Sequence, residues 1–138
     1  MKRYTACAGS CAGLALFDGP KDPAEAIDQP QLVIAVSPGG PAEPRDRDQF
    51  ARNAMSGLPP TFKDLRFLSA ESMRIGGQPG HEVRAQAKDA QSGADIEIVQ
   101  WLRFGGGAYL RILGFASKDK WPEMFTRFRT VRDGLEPR

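Results

Sequence analysis

The sequence predicts an α+β fold in which an antiparallel sheet is packed between helices, an α/β/α sandwich. Three observations carry that expectation. Strand-like runs follow one another through the second half of the chain, joined by glycine-rich turns. Two segments repeat apolar residues at helical spacing between start and stop signals. The long strand pair within 95–117 is apolar on both faces, so each face of the sheet needs a cover.

Length and composition set the frame. The 138 residues divide into an N-terminal arm or strand at 1–17 and one sandwich domain at 18–138. Apolar residues make up 41% and charged residues 26%, ordinary for a globular chain with a proper core. The net charge of +2 is small and dispersed, which speaks against a nucleic-acid groove. No apolar run has the length of a transmembrane helix.

The arm "MKRYTACAGSCAGLALF" starts with two cations and has no further charge until Asp18, as an export signal does. Its most apolar piece, however, follows both cysteines. "GLALFDGP" therefore reads as a strand entering a turn, and what precedes it as a degraded signal, a chain boundary or a loose arm. Cys7 and Cys11, in "CAGSC", read as free structural thiols. A disulfide over so short a span needs a bent loop, and a metal site needs further ligands at suitable spacing.

"QLVIAVS" (31–37) is a β-prone run ending in the loop "PGGPAEP". "RDRDQFARNAMSG" predicts a helix capped by Asp46 or Asp48, with Phe50, Ala54, Met55 and Leu58 as its apolar stripe and Gly57 as its stop. "LPPTF" forces a loop. "LRFLSAESMRI" reads as a strand with a bend near Ser69–Glu71. In "HEVRAQAKD" His81, Val83, Ala85 and Ala87 alternate with Glu82, Arg84, Gln86 and Lys88, which predicts a strand buried on the first set. "DIEIVQWLRF" and "AYLRILGFAS" form a hairpin about a turn placed at Gly105–Gly107. That placement puts Trp101 opposite Arg111 and Arg103 opposite Tyr109 on one face; pairing Ala87 with Ile96 puts His81 opposite Leu102. The last segment, "KDKWPEMFTRFRTVRDGL", predicts a helix capped by Asp119 with Pro122 in its first turn. Trp121, Met124, Phe125, Phe128, Val131 and Leu135 form its apolar face, and Glu123–Arg127 and Arg129–Asp133 its surface pairs.

Little in the chain looks like chemistry. "GGQPG" (76–80) lacks the lysine, the hydroxyl and the following helix of a phosphate loop, so its glycines read as a turn with Pro79 fixing one position. His81, the only histidine, reads as a partly buried sheet-end residue with a backbone hydrogen bond. A weak hydrolase using His81 is the least favoured alternative, because no neighbour in sequence supplies a nucleophile or a second acid. No residue set is assigned as catalytic, metal-binding or cofactor-binding. Trp101, Arg103, Tyr109 and Arg111 are the candidate binding residues, a cation–aromatic patch of the kind enriched at interaction hot spots.

Gly76, Gly77, Pro79, Gly80, Trp101, Tyr109, Trp121, Phe125, Phe128 and Val131 stand in an arrangement that resembles the PsbP-like superfamily, close to uncharacterised and DcrB-like bacterial members. These residues are an "IGGxPGHE" hairpin entry, two long strands about a glycine turn and a final "W…F..FR.V" helix. The resemblance spans about residues 30–135. It implies an antiparallel sheet between helices and a non-enzymatic binding or assembly role with a protein partner, in a bacterial cell and with a lean to the envelope. A small-molecule pocket between the sheet and the last helix, near Trp101 and Phe125, is the main alternative, and homodimerisation through exposed apolar surface is a further arrangement to test.

Overall fold

The computed structural model describes residues 27–135 and the backbone placement of two N-terminal strands, β1 (Lys2–Tyr4) and β2 (Ala12–Phe17). Cys7 and Cys11 lie outside the described residues. The elements that follow are β3 (Gln31–Pro38), a 3-10 turn at Pro44–Asp46, α1 (Arg47–Ser56), β4 (Phe62–Ile75), β5 (Gln78–Asp89), β6 (Asp95–Gly105), β7 (Ala108–Ser117) and α2 (Trp121–Gly134). The strands form one antiparallel sheet in the order β1-β2-β3-β7-β6-β5-β4. The expected sandwich is present, with one helix on each face.

The turn of the β6–β7 hairpin differs from the expectation by one residue. Gly106 and Gly107 both have positive φ, 64° and 74°, as a two-residue type I′ turn requires. Gly105 instead pairs with Ala108 inside the ladder. A slip of one residue turns every later side chain to the other face. Trp101 now faces Ile112, Arg103 faces Leu110, and Arg111 faces Leu102. In β5 the expectation holds, with His81 opposite Leu102 and Ala87 opposite Ile96. Pro79 lies within β5 opposite Arg74 rather than in the turn.

The two faces carry separate cores. On the α1 face Val83, Ala85, Ala87, Ile96, Ile98 and Leu102 pack against Ala51 and Met55. The helix stripe is thus centred on 51 and 55; Phe50 and Leu58 flank it, and Ala54 is only half-buried. On the α2 face Leu32, Val99, Trp101, Leu110 and Ile112 pack against Trp121, Met124 and Phe128, the stripe expected for that helix. Neither Asp46 nor Asp48 bonds to the start of α1 through a cap, and Lys120 rather than Asp119 occupies the N-cap position of α2. Asp133 is held by Arg132 at 2.8 Å, while Arg129 stacks on Phe125. The irregularity of β4 comes earlier than expected, between Lys63 and Ser69, with Asp64 at φ 54°.

The helices are offset from each other. Helix α1 lies over β4, β5 and β6, whereas α2 lies over β7. On the α2 side the β4–β5 half of the sheet is therefore only partly covered: Ile75, at the end of β4, is buried in the α2-side core, whereas the strand surface before it is more open. Along β5 this shows as strict alternation: Val83, Ala85 and Ala87 are buried beneath α1, and Glu82, Arg84 and Gln86 are half-exposed on the other face.

Candidate binding surface

The four residues expected to form one patch are divided between the faces. Trp101 and Arg103 lie on the α2 face, Tyr109 and Arg111 on the α1 face. The one-residue shift of the hairpin is the physical reason. Each arginine serves a helix end. The Arg111 guanidinium donates to the Ala54 carbonyl at 3.1 Å and to Gln100 Oε1 at 2.9 Å, and Gln100 Nε2 donates to the Ala51 carbonyl at 2.9 Å. The Ala54 carbonyl belongs to the last turn of α1, the negative end of the helix dipole, which favours a cation. Burial pulls the Arg111 pKa down, and the guanidinium stays charged nonetheless. Arg103 does the same for α2, donating to the Leu135 carbonyl at 3.1 Å. Tyr109 meets Phe50 edge-on at 5.0 Å, under α1.

His81 anchors the other end of α1. Its ring is 5% exposed, and Nε2 lies 2.8 Å from Asp48 Oδ1. The partner is thus a side chain of the first helical turn, not the backbone group expected. Arg52 Nε donates to the other Asp48 oxygen at 2.8 Å. The Arg52 hydrogen bond, helped by His81, holds the Asp48 carboxyl below its ordinary pKa against the opposing effect of burial. His81 Nδ1 is enclosed without a hydrogen-bond partner among the described residues. The pair ties helix to sheet, with the imidazole enclosed and the Asp48 side chain half-exposed.

Space between the sheet and α2 near Trp101 is filled. Trp101 is wholly buried. Its ring stacks on Phe125 at 6.0 Å, and Phe125 stacks on Trp121 at 5.3 Å. The pocket expected there is replaced by a ladder of three rings, with Trp101 Nε1 donating to Glu82 Oε2 at 2.8 Å.

What the offset of the helices leaves open is the α2-side surface of β4 and β5. Its floor carries Lys63, Arg66, Ser69 and Glu71 on β4, paired with Lys88, Gln86, Arg84 and Glu82 on β5. Its wall is the aromatic ladder of α2. Arg84 reaches from floor to wall, its guanidinium 4.4 Å from the Phe125 ring centre and 5.3 Å from that of Trp121. Arg129 lies 4.9 Å from Phe125, and Arg132 4.8 Å from Trp101. A cation–aromatic cluster built on Trp101 is therefore present, with different arginines from those expected. Arg84, Arg129 and Arg132 escaped notice because they become neighbours only when α2 docks.

The far end of this surface opens into a cleft of about 490 Å³ beside the start of α2, lined among others by Arg66, Gln86, Lys88, Asp95, Glu97 and Lys118. Its charges are largely paired internally. Arg66 donates to Gln86 at 2.6 Å, and Gln86 donates to the buried Glu97 at 2.7 Å. Lys88 and Asp95 meet at 2.8 Å, which raises the lysine pKa and lowers that of the aspartate. Among the described residues no cluster of three metal-ligating side chains occurs. No helix there is long and apolar enough to cross a membrane.

An antiparallel sheet with one helix on each face, entered by a glycine hairpin and closed by an aromatic C-terminal helix, defines an α/β/α sandwich. Solved structures sharpen this to the PsbP-like fold. The solution structure of cyanobacterial PsbP (CyanoP) from Synechocystis matches at a TM-score of 0.50 and 14% identity, covering 94% of this chain and 88% of that one. LpqN of Mycobacterium tuberculosis, described as involved in cell envelope biogenesis, matches at 0.62 and 17%, covering 96% and 80%. A Pseudomonas aeruginosa protein of unknown function, described as a putative regulator, matches at 0.69 and 12%, covering 96% and 88%. These likenesses establish the fold. No protein-family model matches the sequence, and no curated protein matches it.

Proposed function

We propose that the chain is a non-enzymatic accessory domain of bacterial type that binds a partner protein through the charged sheet surface beside α2. One observation carries this reading. The offset of the helices leaves a half-exposed strand surface flanked by an aromatic ladder and three guanidinium groups. Aromatic and arginine side chains are the residue types that dominate binding energy at interfaces. The envelope role described for LpqN, a structural neighbour, supports an envelope-associated setting. Placing a photo-cross-linking amino acid at Lys88, on this surface, and at Gln49, on the exposed side of α1, tests the reading. In the native host a discrete adduct is expected from position 88 and not from 49. No adduct from 88, or the same adducts from both positions, would refute it.

A second reading is a small polar ligand in the cleft beside the start of α2, favoured by its 490 Å³ volume. Native mass spectrometry of the purified protein tests it. A stoichiometric co-purifying mass that is lost in a Gln86→Leu variant supports this reading, and its absence argues for the first.

A further inference from the structure

We infer that the partner is recognised as an extended segment laid along the free edge of β4, with a basic side chain over the Glu71–Glu82 pair and an acidic side chain two residues away for Arg84 and Arg129. This rests on the binding reading above and specifies what that surface takes.

Strand β4 ends the sheet order, so its outer edge has no described strand beside it. An open edge offers a row of backbone donors and acceptors, which extended peptides use as a template. The edge is not uniformly open. Its first half carries both register irregularities, the left-handed Asp64 and the cations Lys63 and Arg66, the devices by which proteins blunt an edge. From Ser69 to Ile75 the pairing with β5 is regular, from Ser69 opposite Arg84 to Ile75 opposite Gln78. Only this second half is fit to receive another strand.

The charges beside it are split and uncompensated. Glu71 and Glu82 stand directly opposite each other, a pairing that costs stability when nothing neutralises it. Among the described residues Glu82 has only the indole of Trp101 as a hydrogen-bond partner, and Glu71 has none. Two residues along β5, Arg84 rests on Phe125 with its Nε enclosed and without an acceptor. Neither Arg84 nor Arg129 forms an ion pair among the described residues; Arg129 feels only the longer-range pull of Asp133. The residue opposite Arg84 is Ser69, the short side chain between the edge and the arginine. Same-face side chains along a strand are about 6.6–6.8 Å apart, which is the spacing of Glu71 from Ser69 and of Glu82 from Arg84. A partner strand in register with β4 thus presents one residue to the carboxylate pair and the next on that face to the arginines. A purely acidic segment meets Glu71, and a purely basic one meets Arg84, so only the mixed pattern satisfies both.

The test is a titration of the 15N-labelled domain with two nine-residue peptides of alternating Thr and Val. One carries a Glu and a Lys two positions apart; the other has Ser at both places. The charged peptide is expected to bind more tightly by about five-fold, the scale of an exposed charge pair. Shifts are expected in the amides of Ser69–Ile75 and in the Nε–H signals of Arg84 and Arg129. The exposed substitutions Glu71→Lys and Arg129→Glu, made together, should reverse the preference toward a peptide with Glu and Lys exchanged. Equal binding of both peptides, shifts centred elsewhere, or no binding would overturn the inference. A cross-linked adduct at position 88 that is indifferent to the double substitution would overturn the edge mode while leaving the binding reading intact.

Discussion

Replacing Gly114 with Ala tests how α2 is seated. A Cβ built at this position lies 2.7 Å from Phe128 Cδ2, 3.0 Å from Cε2 and 3.1 Å from Leu32 Cδ1. Carbon atoms at rest are about 3.5–4.0 Å apart, so the ring would have to move by roughly an ångström. Phe128 is wholly buried and meets Trp121 edge-on at 6.1 Å, and so has nowhere to go without lifting the helix. Two effects compete. Alanine stiffens the unfolded chain and suits a strand better than glycine, worth roughly 0.5–1 kcal/mol in its favour. Overpacking a filled core costs about 1–3 kcal/mol. The second wins, leaving a net loss of about 1–2 kcal/mol, which for a chain of this size lowers Tm by roughly 3–10 °C. Calorimetry of Gly114→Ala, Phe128→Leu and the double variant measures it. The smaller side chain at 128 should return part of the loss, giving a coupling of at least about 0.5 kcal/mol. An unchanged Tm for Gly114→Ala, or strictly additive effects, would refute the argument. Gly134→Ala is the contrast, since a Cβ there meets nothing within 4 Å; its Tm should hold or rise.

Two further outcomes follow from the tethers of α1. Asp48 has its pKa lowered in the folded state, chiefly by Arg52, so it binds protons more weakly there than in the unfolded chain. Its contribution is present at neutral pH and is lost as pH falls below the ordinary aspartate value of about 3.9. The difference between the urea midpoints of the native protein and of Asp48→Asn should therefore be full at pH 7 and shrink as pH falls below about 3.9; a constant difference would contradict the assignment. Arg111→Met leaves Gln100 Oε1 without its donor and removes the guanidinium from the Ala54 carbonyl, which keeps only the long Gly57 amide bond of 3.4 Å. The expected loss is about 1–3 kcal/mol, with faster amide exchange in α1 than in α2, both measurable by hydrogen exchange.

The parts of the fold visible in the sequence are those fixed by local period. The alternation of β5 and the stripe of α2 follow from which residues are apolar, and both are as expected. In "GGQPG" the turn is confined to Gly76 and Gly77, and Gln78–Gly80 already belong to β5. The hairpin of β6 and β7 was ambiguous for a definite reason. Three consecutive glycines allow more than one two- or three-residue turn, and apolar residues on both faces give no penalty for choosing wrongly. That ambiguity fell on the candidate site. One residue of register separated Trp101 from Arg111 and sent each arginine to a different helix end. The cluster of Arg84, Arg129 and Arg132 was not legible at all, because it depends on where α2 crosses the sheet. His81 and Asp48 are 33 residues apart and meet only across α1 and β5.

The two helix-end arginines sit on one hairpin, Arg103 on β6 and Arg111 on β7, and this bears on the order of assembly. Strands β4 to β7 are consecutive in sequence and neighbours in the sheet. Their pairing closes only short loops, which is the rapid step for a β-rich chain. The pairing of β3 with β7 joins residues as far apart as Gln31 and Phe115 and must come later. Once the four-strand meander exists, it already holds both cations that receive the helix ends. Each helix then adds to a preformed docking point on its own side. Substitutions in the β6–β7 turn should accordingly slow folding, whereas substitutions in β3 should mainly speed unfolding, a division that stopped-flow kinetics can resolve.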